Sequence, residues 1–197
     1  RDVERSRGLG DVYKRQRPNA ISVMAISAAG SMYDPSAFYY MKKIATGPEA
    51  ADVIDVDASV EDNIRNVAQA KQKSVRDITV VVLDRPRHDD LQAAIREAGA
   101  KVRLIADGDV AGAVAAAKHG NSVDLMMGIG GTPEGVITAA AMRCLGGAIQ
   151  GRLWPKTDEE IARAATGEYD TDKVLYTNDL CSVSYTHLRA HETSLHL

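Results

Sequence analysis

Cysteine is scarce in this chain: Cys144 and Cys181 are the only two among 197 residues. Two cysteines cannot build the dense disulfide framework of a small secreted domain, and such sparing use fits a reducing cytosol. A basic excess is also missing. Net charge is −3, from 24 basic and 27 acidic residues, so there is no broad positive field of the kind that gathers nucleic acid. No apolar run approaches the roughly 18 residues needed to cross a membrane. The stretch ISVMAISAA (21–29) follows basic residues and has the length of a signal-peptide core. Serines interrupt it and Pro18 and Asn19 precede it, so a buried strand is the expectation there. The sequence has no internal repeat and no low-complexity tract. What is there is a globular composition, 45% hydrophobic and 26% charged, long enough for one domain or for a large part of a bigger one.

The two ends do not share the pattern of the middle. Residues 1–16 (RDVERSRGLGDVYKRQ) hold five basic and three acidic residues and no usable apolar period. Residues 183–197 (VSYTHLRAHETSLHL) hold His187, His191 and His196, three of the five histidines, with one basic and one acidic residue. Such a cluster can suggest a metal tract. The strings DVYKRQ and VSYTHLRAHET instead resemble translated sequencing-adapter read-through. The expected division is a non-native N-terminal extension at 1–16, a partial domain at 17–182 and a non-native C-terminal extension at 183–197. Without those ends the net charge falls from −3 to −5. An anionic substrate must then be held by a few placed cations, not by a general field.

The middle alternates strand and helix patterns. DVIDVD (52–57) alternates as a short strand does. Ser59, with Asp62 three residues on, resembles a capping box. Val60, Ile64, Val67 and Ala68 then fall on one helical face. TVVVL (79–83) is a β-branched run of the buried-strand type. Leu91, Ala94, Ile95 and Ala98 form one stripe, closed by Gly99 at the position of a C-terminal cap. KVRLIA (101–106) predicts the next strand. An alanine-rich helix over 110–119 follows, with His119 as its dipole-favoured last residue. VDLMM (123–127) is the next strand, and KVLY (173–176) another. Three strand–loop–helix units in succession imply parallel strands with right-handed crossovers, hence an α/β fold with Rossmann-like βαβ units.

In open α/β sheets, ligands bind at the carboxyl ends of the strands. Three loops follow such ends here. In DRPRH (84–88), Arg85 and Arg87 flank the rigid Pro86, and a guanidinium fork can grip phosphate through two parallel hydrogen bonds. Two ordinary solvated arginines explain the pattern equally simply. His88 reads as a loop residue beside the helix start and not as a metal ligand. In DGD (107–109), Gly108 permits a turn that puts Asp107 and Asp109 on one side, facing a sugar hydroxyl or a metal, although a plain turn has the same composition. GIGGTPEG (128–135) gives up side chain around a single acid, Glu134. It reads as a glycine loop opening onto a helix N-terminus, with Thr132 as N-cap and Pro133 at the first helical position. Acids in a first turn complement the helix dipole; the glycine surround additionally keeps this one accessible, as a ligand of a hard cation must be. A dinucleotide fingerprint fails in detail, because the third glycine position holds Pro133 and no ribose-binding acid follows.

PNAISVMA, MYDPSAFYYMKK, LDRPRHDDL, IADGDVAGAV and GIGGTPEGVITAAAMRCLGGAIQGRL together resemble the class II, GlpX-type, fructose-1,6-bisphosphatases, from about Pro18 to Ser182. The resemblance implies a layered sugar-phosphatase architecture related to inositol monophosphatase. It implies Mn²⁺- or Mg²⁺-dependent hydrolysis of the 1-phosphate of fructose 1,6-bisphosphate, or of sedoheptulose 1,7-bisphosphate in some relatives. It also implies a cytoplasmic enzyme of gluconeogenesis and glycerol metabolism, a homo-oligomer (dimer or tetramer) with neither nucleic-acid nor membrane partners. Position by position, Glu134 matches a metal-binding glutamate and Gly131 a substrate-contacting glycine. Asp107, Gly108 and Asp109 match a sugar-contacting segment. Arg85, Pro86 and Arg87 match a phosphate-side segment whose first basic residue is lysine in some relatives, and Tyr40 matches a substrate-contacting tyrosine. The family's other metal carboxylates sit in an upstream half, around an acid-rich motif that nothing before Pro18 matches. The chain therefore resembles an internal fragment, inactive as it stands. A non-catalytic sugar-phosphate-binding module is the rival reading, and a nucleotide-binding Rossmann unit a weaker one.

Overall fold

The computed structural model describes residues 21–182, and the backbone of residues 187–192. In chain order the strands are β1 Ile21–Ile26, β2 Tyr40–Thr46, β3 Thr79–Leu83, β4 Lys101–Ile105, β5 Leu125–Gly131, β6 Ala148–Leu153, β7 Leu175–Tyr176 and β8 His187–Glu192. The helices are α1 Val60–Ala70, α2 Asp89–Glu97, α3 Asp109–Ala117, α4 Thr132–Leu145, α5 Asp158–Ala165 and α6 Thr177–Leu180, with a 3-10 turn at Pro86–His88 ahead of α2.

Six strands form one mixed sheet in the order β4-β3-β5-β2-β6-β7. Strands β4, β3 and β5 are parallel, as the three βα units require. Strand β2 enters antiparallel between β5 and β6, and β7 ends the sheet against β6. The β-branched alternation of β3 sorts its side chains between two cores. Val80 and Val82 join Leu125, Met127, Ile64, Val67 and Ile95 on the α1/α2 face. Val81 joins Met126, Met41 and the small residues of α3 and α4 on the other face. The result is a three-layer helix–sheet–helix arrangement, the solution open to a parallel sheet that must bury both faces. It agrees with the expected α/β class.

Several local expectations hold. Ser59 accepts the amide of Asp62 at the α1 N-cap (3.0 Å), and Gly99 has φ +86°, as a residue that ends a helix in the left-handed region does. Others are corrected. Residues 52–57 form turns, with Ile54 and Val56 buried by packing and not by pairing. Strand β1 is not buried: Met24 and Ile26 are each 58% exposed, because it pairs only with β8, outside the main sheet. Helix α3 ends at Ala117, and His119 lies beyond it, exposed and hydrogen-bonded to Glu49. The predicted 173–176 strand shrinks to Leu175–Tyr176. No helix among the described residues is long and apolar enough to cross a membrane.

The order β4-β3-β5 creates the feature that positions the site. The crossover after β3 passes through α2 on one face, and the helices after β4 and β5 lie on the other. Neighbouring strands β3 and β5 therefore send their following helices to opposite sides, and a crevice opens between their carboxyl ends. Because β2 and β6 run the other way, the start of β2 and the end of β6 lie at that same edge: Tyr40 pairs with Gly131, and Met41 with Leu153.

Candidate functional site

The glycine stretch is the first element of the site, and it is not a free loop. Residues 128–131 are the last rungs of β5, paired with Lys43, Lys42, Met41 and Tyr40 in turn. Helix α4 starts immediately afterwards. Gly131 takes the N-cap position that Thr132 was expected to hold, and Thr132 Oγ1 is buried without a hydrogen-bond partner among the described residues. The glycines serve close approach. A Cβ on Gly130 would lie 2.2 Å from Asp109 Oδ2 and 2.9 Å from Lys43 Cε. A Cβ on Gly131 would meet the carboxylate of Glu134.

Glu134 stands in the first turn of α4. Its Oε2 is buried and has no hydrogen-bond partner among the described residues. Buried carboxylate oxygens are ordinarily satisfied, and one without a protein partner is suited to a bound water or ion. A hard cation is the chemically matching group, since it takes oxygen ligands. Among the described residues no cluster of three or more His, Cys, Asp or Glu exists that could hold a metal by itself. Glu134 therefore fits as one donor to such an ion and not as a complete site.

The segment after β3 reaches across the crevice. Arg87 donates from Nε (3.1 Å) and Nη2 (2.9 Å) to the carbonyl of Ile129 in β5. Its guanidinium also lies over the Tyr40 ring, 5.2 Å from the centroid. Arg85 is half-buried and donates to its neighbour's carbonyl at Asp84 (2.8 Å), while Pro86 begins the turn that separates the two arginines. His88, expected to be an ordinary loop residue, is 1% exposed. Its Nδ1 lies 2.8 Å from Leu83 O and its Nε2 2.8 Å from Ile129 N. A carbonyl only accepts and an amide only donates, so the imidazole is neutral with its proton on Nδ1. Burial pushes its pKa below the ordinary value, with the nearby Arg87 charge acting in the same direction.

The acids after β4 separate. Asp107 is exposed and accepts from the Gly108 amide (2.9 Å). Gly108, at φ +84°, turns the chain, and Asp109 begins α3 with its side chain only 9% exposed. Asp109 Oδ2 pairs with Nζ of the still more deeply buried Lys43 at 2.7 Å. The two carboxylates thus do not form one acidic face, because the buried ammonium draws one of them inward.

All three loops and Tyr40 meet at the crevice, as the strand-end argument requires. The sequence reading missed Lys43, His88, Trp154 and Lys156. Trp154 meets Tyr40 edge-on at 6.1 Å, and Lys156 Nζ lies 5.0 Å from the same ring on the segment leaving β6. A lysine inside a strand, Lys43 between Met41 and Ile44, is the one signal that was available in advance. A wide open hollow of about 1020 Å³ lies elsewhere, lined by Asp52, Asp55 and Asp57. Its acids would repel a phosphate, and it contains none of the predicted residues.

Comparison with known proteins gives the family. The chain matches the family of bacterial fructose-1,6-bisphosphatases, glpX-encoded, over residues 11–191, and it belongs to that family. The match runs past 17–182 at both ends. Among curated proteins it is 48% identical over 134 residues to a D-fructose 1,6-bisphosphatase class 2/sedoheptulose 1,7-bisphosphatase of Synechocystis sp., which covers 68% of this chain and 39% of the relative. It is 40% identical over 179 residues to a protein of the same description from Synechococcus elongatus, covering 84% of this chain and 52% of the relative. The chain thus spans about half the length, or less, of the curated relatives it matches.

Proposed function

We propose that this chain is the substrate-gripping and partly metal-binding portion of a fructose-1,6-bisphosphatase. The whole protein would hydrolyse the 1-phosphate of fructose 1,6-bisphosphate to fructose 6-phosphate and phosphate. One observation carries the reading: a partnerless buried carboxylate oxygen on Glu134 lies at the same crevice as the arginines, the sugar-facing acids and Tyr40. Glu134 would be one ligand of Mn²⁺ or Mg²⁺, and such an ion, when bound, supplies water activation and neutralises phosphoryl charge. The chain's own residues do the rest. Arg87 and Arg85 bind the remote phosphate. Asp107 and Gly108 orient the sugar hydroxyls, Asp109 anchors that turn from the inside through Lys43, Gly131 leaves room for the substrate, and Tyr40 forms a wall lined by Arg87 and Lys156. Within this reading 17–182 is the main part of the sugar-phosphatase domain present here, with the family match reaching into 11–16 and 183–191 beyond it; a cytoplasmic homo-oligomer, dimer or tetramer, is its natural setting.

Sedoheptulose 1,7-bisphosphate is the alternative substrate, because the names of the relatives carry both activities. The test is a chimera that supplies the upstream half of the Synechococcus elongatus protein to this chain. Mn²⁺- or Mg²⁺-dependent phosphate release from fructose 1,6-bisphosphate is expected from the chimera and not from residues 1–197 alone. Binding of the bisphosphate with no turnover in the chimera would favour a non-catalytic sugar-phosphate module. Faster turnover of sedoheptulose 1,7-bisphosphate would reassign the substrate.

A further inference from the structure

We propose that Lys43 is a positioning residue that locks the sugar-facing loop and the metal-facing helix start into one register. The inference rests on the roles given above to Asp109 and Glu134. Lys43 lies in the middle of β2 and points to the α3/α4 side, the face that Gly130 leaves bare. Its side chain is 1% exposed. The ammonium makes two contacts: an ion pair with Asp109 Oδ2 at 2.7 Å, and a hydrogen bond to the carbonyl of Gly131 at 2.9 Å. Asp109 opens α3 and ends the sugar-facing segment; Gly131 caps α4, three residues before Glu134. One buried cation therefore ties the first turn of α3 to the first turn of α4.

The arrangement is costly for a core. Two charges out of water repay their desolvation only when geometry is good, and apolar residues of the same volume often serve stability as well or better. Gly130 is shaped to it, since any Cβ there would overlap the pair. What an apolar pair does not provide is direction. The ammonium accepts nothing and has three donors, so it fixes Asp109 and the Gly131 carbonyl relative to each other. Asp109 is held with Oδ2 turned inward. Gly131 is held where Glu134 can approach it. Lys43 itself needs no contact with substrate or metal.

The test uses the chimera described above with three variants: Lys43→Met, Asp109→Asn and the double variant. Asp109→Asn is expected to raise KM for the bisphosphate and to leave the Mn²⁺ half-saturation unchanged, because the ammonium still holds Gly131. Lys43→Met is expected to raise both, the Mn²⁺ half-saturation by roughly tenfold or more, as loss of an outer positioning group does. Amide exchange gives a readout without activity. In Lys43→Met, exchange at 107–110 and at 130–134 should rise together by about tenfold, while the β3–β4 rungs stay protected. If Lys43→Met fails to fold, the double variant, which leaves no unpaired buried charge, is compared with Asp109→Asn and should show the same rise in Mn²⁺ half-saturation. Equal Mn²⁺ half-saturation in those two variants, or a uniform rise of exchange across the sheet, would make Lys43 an ordinary core ion pair and overturn the proposal. A wild-type chimera without bisphosphatase activity would defeat the functional reading instead, and the exchange experiment would still decide whether Lys43 couples the two loops.

Discussion

Tyr40 and Gly131 face each other on the β2–β5 ladder, and that pairing brings the aromatic ring to the glycine that caps the helix carrying Glu134. Neither segment reaches the other by local folding. The pairing places the centroid of the Tyr40 ring 5.2 Å from the Arg87 guanidinium and 5.0 Å from the Lys156 ammonium, and it places the Gly131 carbonyl within reach of Lys43.

Glu134→Gln in the chimera should nearly abolish turnover. The amide keeps the size of the side chain and loses the anionic oxygen that lacks a partner. Steady-state phosphate release across a Mn²⁺ series checks this; near-normal turnover at saturating metal would remove Glu134 from the ligand set.

Arg87→Ala should raise KM for a sugar bisphosphate more than for the monophosphate. A charge-assisted phosphate contact is worth on the order of 1.5–3 kcal/mol, or roughly ten- to a hundredfold in affinity. The variant also frees the Ile129 carbonyl and uncovers one face of Tyr40. Equal changes for both substrates would mean that Arg87 only braces the crevice.

Two neighbouring glycines should respond differently to alanine. In Gly130→Ala the new methyl meets a buried ion pair that has nowhere to go, so a loss of about 1–3 kcal/mol is expected from overpacking. In Gly131→Ala the methyl meets the end of the Glu134 side chain, which can rotate away. Stability should hold there while metal activation is lost. Denaturant midpoints read beside Mn²⁺ half-saturation separate the two, and parallel losses in both variants would show that the ion pair is no more rigid than Glu134.

Stability should fall as pH drops through the range below 6.5, the ordinary imidazole value. His88 is held below that value in the fold, mainly by burial. The unfolded chain then binds more protons than the folded one as the pH falls, and folding weakens. Above 6.5 the contribution is fully present. Protonation would also turn Nε2 into a donor against the Ile129 amide and break that bond. His88→Ala should lower the thermal midpoint at neutral pH and flatten its decline toward pH 5. An unchanged slope would assign the acid sensitivity to other groups.

Much of the parallel half of the fold was legible in the residues. TVVVL is a β-branched run that fits a pleated interior, and Asp84 with Pro86 just after it stops the segment from continuing as a helix. Ser59 and Gly99 marked helix ends through local hydrogen bonding and backbone freedom, which need no distant partner. Two of the three strand-end loops, 84–88 and 107–109, were placed correctly because βα units dictate where such loops go, and the glycine segment reaches the same edge although it is itself the end of β5.

The rest depended on partners far along the chain. GIGG has the composition of a loop, and it is a strand because β2 pairs with it from the antiparallel side. DVIDVD has the alternation of a strand and finds no neighbour to pair with, so it turns. Asp107 and Asp109 are equivalent in sequence, and only the buried ammonium of Lys43 separates them. His88 acquires its fixed tautomer from two backbone groups of two different strands. Composition, period and caps thus determined which segments this chain could use and where its chemistry would collect. The tertiary structure decided that Glu134 buries an oxygen with no partner among the described residues while Asp109 is tied down by Lys43. That choice rests on close approach and charge pairing between segments that meet only when the sheet is complete.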